Sequence, residues 1–243
     1  MDLQHFNHDG ARLALKRSEG SGPAVIWCGG LKSDMEGTKA VFLHERCAEA
    51  GRAFLRFDYF GHGVSEGAFE DGTLSRWSGD VVAVIDRFAD GGCVLVGSSM
   101  GGWASMLATM ERPDAVRALV LINPAPDFTR DVYAGWDSHK RQMLADDGVV
   151  YEPSDYGEPY AYSKALIEDG EARSILHAPV PITCPVEILQ GADDTVVPPA
   201  KSARIVDAVE SDRVGYTLVK GGDHSLSRPV DLARLWSTLQ TVL

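Results

Sequence analysis

Positive charge is in deficit: 23 Lys and Arg stand against 35 Asp and Glu, for a formal net charge of −12. A nucleic-acid binder needs a basic stripe facing the phosphates, and an anionic membrane surface asks for the same sign, so neither partner is expected. Cysteine is scarce. Cys28, Cys47, Cys93 and Cys184 form no CxxC pair, and three of them lie in or beside apolar runs. A chain large enough to build a core does not need a disulfide framework, so buried free thiols and a reducing compartment are expected. Long apolar runs are missing too. The clean stretch Ala118 to Ile122 falls far short of the roughly 20 residues of a membrane-spanning helix. Met1-Asp2-Leu3-Gln4 has neither the basic nor the apolar region of a signal peptide, which points to a soluble cytoplasmic protein. No GxGxxG follows a first strand and no Walker-type Gly-Lys-Ser/Thr occurs, so no nucleotide or other cofactor is expected. His44 and Cys47 share a helical face, but two ligands without a second pair are too few for zinc.

What is present is core material: 243 residues, 44% of them hydrophobic, fit one large domain over residues 1–243. His8-Asp9-Gly10 is a hairpin signal between strands at Leu3 to Asn7 and Arg12 to Lys16. Further strands are expected at Pro23 to Cys28, Ala53 to Phe57, Cys93 to Val96, Ala115 to Ile122, Val186 to Gln190 and Val214 to Lys220. Helical patterns fall between them, at Thr38 to Glu49, Leu74 to Phe88, from Met100 to about Glu111, and at Ala200 to Val209 and Val230 to Val242. This alternation predicts an α/β fold: a mainly parallel eight-stranded sheet with helices on both faces and an antiparallel edge. One stretch breaks the rhythm. From about Asp127 to Val180 the chain is too long for one crossover and carries Trp136, Tyr151, Tyr156, Tyr160 and Tyr162. It reads as a small, mostly helical cap that sets substrate choice, with Trp136 and Tyr160 as the side chains expected to touch substrate.

Chemistry concentrates at Val96-Gly97-Ser98-Ser99-Met100-Gly101-Gly102, where an apolar strand runs into Gly-x-Ser-x-Gly and then a helix. Such a turn lifts the hydroxyl of Ser99 to the start of a helix, where backbone N–H groups and the helix dipole meet an oxyanion. A serine needs a base. His224, in Lys220-Gly221-Gly222-Asp223-His224, lies between the last strand and the last helix. An acid must orient that base, and Gly191-Ala192-Asp193-Asp194-Thr195-Val196-Val197-Pro198 offers two; the resemblance of this stretch to the Gly-x-x-Asp-x-x-x-Pro of similar hydrolases implies Asp194, with Asp193 in reserve. The oxyanion donors expected are the amides of Met100 and, from the loop after Cys28, Leu31. Asp58-Tyr59-Phe60-Gly61-His62-Gly63-Val64-Ser65 reads as a structural turn beside the site, with His62 a satisfied loop histidine.

Together these stretches resemble the α/β-hydrolase superfamily over nearly the whole chain. Gly30-Leu31-Lys32-Ser33-Asp34-Met35-Glu36-Gly37-Thr38-Lys39-Ala40, Arg56 to Gly63, Val96 to Trp103 and Lys164 to Gly170 are similar to one branch, that of the mitochondrial protein depalmitoylase and acyl-glucuronide esterase and its bacterial relatives. The resemblance implies hydrolysis of carboxylic esters or acyl thioesters through an acyl-enzyme, with a small molecule, an acyl chain or an acylated protein as substrate. It also implies a substrate contact at Gly30, the glycine matching the family's His-Gly. Cys28-Gly29-Gly30 departs from that pattern: the histidine is absent, and with it a side-chain anchor for the loop. Acyl transfer, carbon–carbon bond hydrolysis on the same triad, and a non-catalytic ligand receptor on this scaffold are the alternatives.

Overall fold

The structure, a computed structural model, describes residues 2–154 and 159–243, and Tyr156 lies outside them. The strands are β1 (Gln4–His8), β2 (Ala11–Ser18), β3 (Ser21–Cys28), β4 (Arg52–Phe57), β5 (Cys93–Ser98), β6 (Val116–Ile122), β7 (Val149–Glu152), β8 (Tyr160–Ser163), β9 (Val186–Gly191) and β10 (Val214–Val219). The helices are α1 (Thr38–Glu49), α2 (Leu74–Phe88), α3 (Met100–Glu111), α4 (Phe128–Gly135), α5 (Ser138–Asp147), α6 (Lys164–Ala172), α7 (Pro199–Ser202), α8 (Arg204–Ala208) and α9 (Pro229–Gln240).

Eight strands form one sheet in the order β1-β2-β4-β3-β5-β6-β9-β10. The hairpin edge is antiparallel, as is the β2–β4 pairing, and every pairing from β4 to β10 is parallel. Parallel strands need helical crossovers, which cover both faces, so the middle strands read as unbroken apolar runs. Along β5, Leu95 packs into the core under α2 and α3 with Val81, Val84 and Trp103. Its neighbours Val94 and Val96 point the other way, into the core under α1 and α9 with Leu43 and Leu235. The parallel pairing from β5 through β6 and β9 to β10 places the C-terminal ends of these strands together at one end of the sheet.

Between β6 and β9 the chain builds α4, α5, β7, β8 and α6. The insertion is mostly helical, as expected, and adds one short antiparallel pair, β7 with β8. Val149-Val150-Tyr151 and Tyr160-Ala161-Tyr162 supply the β-branched and aromatic residues a pleated pair favours, and the facing partners Val150 and Tyr162 are both buried. The insertion is clasped at its root by Asp127. This residue is buried and takes a left-handed backbone (φ 59°). Its carboxylate accepts from Ser174 Oγ (2.9 Å) and from the amides of Ile175 (2.8 Å) and Leu176 (3.0 Å), so departing and returning chain meet at one side chain. The helix expected over Ala200 to Val209 is two short pieces instead. At the join the Val206 N–H bonds to Ala203 O three residues back, a tighter turn than α-helical spacing gives. Among the described residues no helix is long and apolar enough to cross a membrane.

Candidate active site

Ser99 occupies the junction of β5 and α3 with φ 55° and ψ −122°, a conformation an L-residue adopts only under constraint. The constraint comes from β6 and the turn after it on one side and from the first turn of α3 on the other. Ser99 N–H donates to Ile122 O (3.0 Å), and Ser99 O accepts from the amides of Gly102 (2.9 Å) and Ala125 (3.1 Å). The turn is possible because α3 starts against β3: a Cβ on Gly101 would lie 2.2 Å from the carbonyl oxygens of both Cys28 and Gly29.

The three residues expected from the sequence converge. His224 Nε2 lies 3.1 Å from Ser99 Oγ, and His224 Nδ1 lies 2.8 Å from Asp194 Oδ2. These partners fix the tautomer: Nδ1–H donates to the carboxylate, and the Nε2 lone pair faces the serine hydroxyl. Asp194 is only 4% exposed, and each of its oxygens is occupied. Oδ1 accepts from the amides of Val196 (2.9 Å) and Val197 (2.8 Å), while Oδ2 accepts from Gln190 Nε2 (3.3 Å) as well as the imidazole. Asp193 is exposed, and its amide donates to Gly222 O (2.8 Å), which ties the acid loop to the histidine loop through the backbone.

The amides of Leu31 and Met100 donate to no acceptor among the described residues. A Cβ on Gly30 would touch Ser99 Cβ at 3.4 Å, so the loop after β3 runs directly beside the serine. That loop does have a side-chain anchor, contrary to expectation. The anchor is His62. Its Nε2 accepts from the amide of Lys32 (3.0 Å), and its Nδ1–H donates to Phe60 O (3.0 Å). The ring packs edge-on against Tyr59, Phe69 and Trp77. Burial pulls its pKa down to about 4, which keeps the Nε2 lone pair free for the Lys32 amide at neutral pH. Lys32 itself is held at φ 57°, and its ammonium reaches Pro159 O (2.8 Å) at the edge of the insertion. Sequence reasoning missed this pairing because a turn histidine and a loop amide 30 positions apart carry no shared pattern. Asp58 orders the same region by accepting from the amides of Met35 (2.7 Å) and Val64 (2.9 Å), and burial raises its pKa. His44, singled out with Cys47, accepts at Nδ1 from Arg56 Nε (3.1 Å).

The insertion residues divide. Trp136 is 5% exposed, its indole N–H donates to Glu152 (2.6 Å), and its ring packs on Tyr162 and Tyr133. It belongs to the insertion's own core, which corrects the expectation that it touches substrate. Tyr160 is half-buried at the margin of the same cluster, 6.4 Å between ring centres from Tyr162. An aromatic path runs from Trp103 of α3 through Phe128 to Tyr162 and joins insertion to sheet. A cavity of about 580 Å³ lies between α4, α5 and α6, lined by Thr129, Tyr133, Leu144, Lys164 and Ile167 among others, and it includes none of Ser99, Asp194 or His224.

The family described as serine aminopeptidase S33 matches residues 23–146. The mitochondrial palmitoyl-protein thioesterase ABHD10 of Homo sapiens is 36% identical over 233 residues, covering 95% of this chain and 76% of that protein. A putative hydrolase from Agrobacterium vitis S4 superposes with a TM-score of 0.94 at 38% identity, covering 99% of this chain and 98% of the other. Mouse α/β-hydrolase domain-containing protein 10 superposes with a TM-score of 0.92 at 35% identity over 99% and 98% of the two chains.

Proposed function

The chain belongs to the α/β-hydrolase family, as a hydrolase of esters and thioesters, and from that premise we propose that it cleaves carboxylic esters or acyl thioesters through a Ser99–His224–Asp194 triad and an acyl-enzyme. The observation that carries the reading is the unbroken run of contacts from Asp194 Oδ2 through both imidazole nitrogens to Ser99 Oγ, at 2.8 and 3.1 Å. As Ser99 Oγ attacks the carbonyl carbon, its proton passes to His224 Nε2. The imidazolium that forms is stabilised by the buried Asp194 carboxylate, which also holds Nδ1–H in place. The carbonyl oxygen becomes an oxyanion between the Met100 and Leu31 amides. His224 then gives its proton to the departing alcohol or thiol, leaving the acyl group on Ser99. Water, deprotonated by the same nitrogen, attacks the acyl-enzyme; the Ser99 Oγ–acyl bond breaks as His224 Nε2 returns the proton to Oγ, releasing the acid and restoring the serine.

Residues 1–243 act as one domain in this reading, and the insertion from about 127 to 180 covers the triad and selects the acyl group. Its departure from the C-terminal end of β6, the end of the sheet at which Ser99, Asp194 and His224 sit, and the Lys32–Pro159 link to the loop beside Ser99, support that placement. Acyl groups, including those on proteins as the name of the human relative describes, are the substrate class. The four cysteines are free, three of them buried, which suits a reducing compartment; cytoplasm and the mitochondrial interior named for that relative both qualify.

A fluorophosphonate probe tests the nucleophile, and a kinetic panel of aryl esters, acyl thioesters and acyl glucuronides of graded length tests the substrate class. Stoichiometric labelling of the parent, none of Ser99→Ala, and turnover of at least one panel member are expected. An unlabelled parent with no turnover would replace the enzyme with a ligand receptor on the same scaffold.

A further inference from the structure

Asn123 is the residue after β6, fully buried and held at φ 44° although it is not glycine. Every hydrogen-bonding atom of its carboxamide is used. Oδ1 accepts from the amide of Gly191 (2.7 Å), at the end of the strand that leads to Asp194. Nδ2 donates to Asp223 O (3.0 Å) and to His224 O (2.7 Å). Its own amide donates to Leu189 O (2.8 Å), one strand over. The residues flanking it hold the nucleophile, since Ile122 O accepts from the Ser99 amide and the Ala125 amide donates to Ser99 O. One side chain and its immediate neighbours therefore touch the backbone of all three segments that bring Ser99, Asp194 and His224 together. No room remains for a looser arrangement: a Cβ on Gly191 would lie 2.5 Å from Gly222 O and 2.6 Å from Asp223 O.

The far side of the histidine loop is held from another helix. Lys39, in the first turn of α1, sends its ammonium through the interior to Ser225 O. Three successive carbonyls, at 223, 224 and 225, are thus gripped by side chains from two distant elements. A loop secured only by its own Asp223 turn would allow the imidazole to swing. A displacement of about 1 Å at a reacting group is enough to cost on the order of a hundredfold in rate.

We propose that Asn123 and Lys39 form a two-point clamp that positions His224, Asn123 by locking the base loop to the strand leading to the acid and Lys39 by fixing the loop's outer end. The inference rests on the Ser99–His224–Asp194 reading. Neither residue touches reacting atoms, so both act on kcat through the placement of the imidazole.

Asn123→Gly removes the carboxamide while relieving the left-handed backbone, and Lys39→Met removes the ammonium while keeping the stem. Each is compared with the parent for kcat and KM on a short aryl ester, for the low-field proton resonance of the His224–Asp194 hydrogen bond, and for thermal unfolding. For Asn123→Gly, kcat should fall about 30-fold or more, with KM within about twofold and the low-field resonance broadened or shifted. Lys39→Met should show the same pattern with a loss of about fivefold. Asn123→Asp, which turns a carboxylate oxygen toward two carbonyls, should lose more than Asn123→Gly. A folded Asn123→Gly or Lys39→Met with kcat within twofold of the parent and an unmoved resonance would overturn the clamp. If Asn123→Gly does not fold, Lys39→Met carries that decision. Failure of the triad reading looks different: Ser99→Ala would then retain activity whatever these variants do.

Discussion

Helices α3 and α5 are nearly the same length and obey opposite rules. Of the twelve residues of α3, the ten from Met100 to Thr109 are buried, whereas α5 buries Leu144 alone. The first is an interior helix, close enough to β3 to require glycine at 101. The second rides on the insertion through Leu144 and an Asp137 cap on the Lys140 amide (2.9 Å). The contrast extends to the regions they belong to. The sheet fixes its groups by main-chain bonds and buried carboxylates, while the insertion is joined to the rest by an aromatic path and by links such as the Ser75 amide to Asp169 (2.8 Å) and Lys201–Asp131 (2.6 Å). In the proposed reading, chemistry that tolerates no displacement would sit on the first region, and selection among acyl groups would fall to the second.

If that division is right, substitutions in the first region should abolish turnover of every substrate alike. Ser99→Ala should reduce kcat on a short aryl ester by about 10⁴-fold or more, with an unchanged circular dichroism spectrum. Asp194→Asn should lose a similar amount, about 10⁴-fold, because the imidazole is left in the wrong tautomer. Asp193→Asn should stay within about threefold, since the Asp193 side chain lies outside the relay. A larger loss in Asp193→Asn than in Asp194→Asn would reverse the assignment of the acid.

His62 belongs to the first region although it never approaches Ser99. His62→Phe keeps the ring's bulk but leaves the Lys32 amide without its acceptor. We expect a fall of about tenfold in kcat, less than the loss of an oxyanion donor itself. The same variant has a pH signature. The folded pKa of about 4 lies below the ordinary value of about 6.5, so between these limits the unfolded chain binds the proton and the folded one does not. Stability therefore falls as pH drops through that window, with His62 responsible for about 3 kcal/mol. Thermal unfolding of His62→Phe should depend less steeply on pH between 6.5 and 4 than that of the parent; parallel curves would refute the buried neutral imidazole.

Changes in the insertion should rank last in rate and first in selectivity. Tyr160→Ala should shift the ratio of long-chain to short-chain turnover by about three- to tenfold without changing the products. Trp136→Ala should instead loosen the insertion's core, at a local cost of about 3 kcal/mol, and change selectivity only as a consequence. Equal slowing of all substrates by both variants would erase the distinction between the two regions.

Most of the fold was legible because period and punctuation carry it. The alternating apolar runs located all eight strands of the main sheet, and Asp9-Gly10 announced the hairpin with two successive positive φ angles. Ser99, Asp194 and His224 were legible because a short motif marks each one locally. Asn123, Lys39 and His62 were not. Each acts by donating to or accepting from the backbone of a segment far away in sequence, and nothing next to them announces the partner. Trp136 misled for a related reason: an aromatic in a cap fits a pocket wall and a packing core equally well, and only the Glu152 contact separates the two. The β7–β8 pair escaped notice because four-residue strands are too short to establish a period.

The Asp127 clasp has an engineering consequence. Because one carboxylate binds the returning chain at 174–176, the two ends of the intervening segment are adjacent in space. A graft from another enzyme would need to match only a narrow stub, and a short linker across it would excise the segment without stretching the sheet. On the proposed reading, exchanging this segment would give a set of catalysts that share one mechanism and differ in the acyl group they accept.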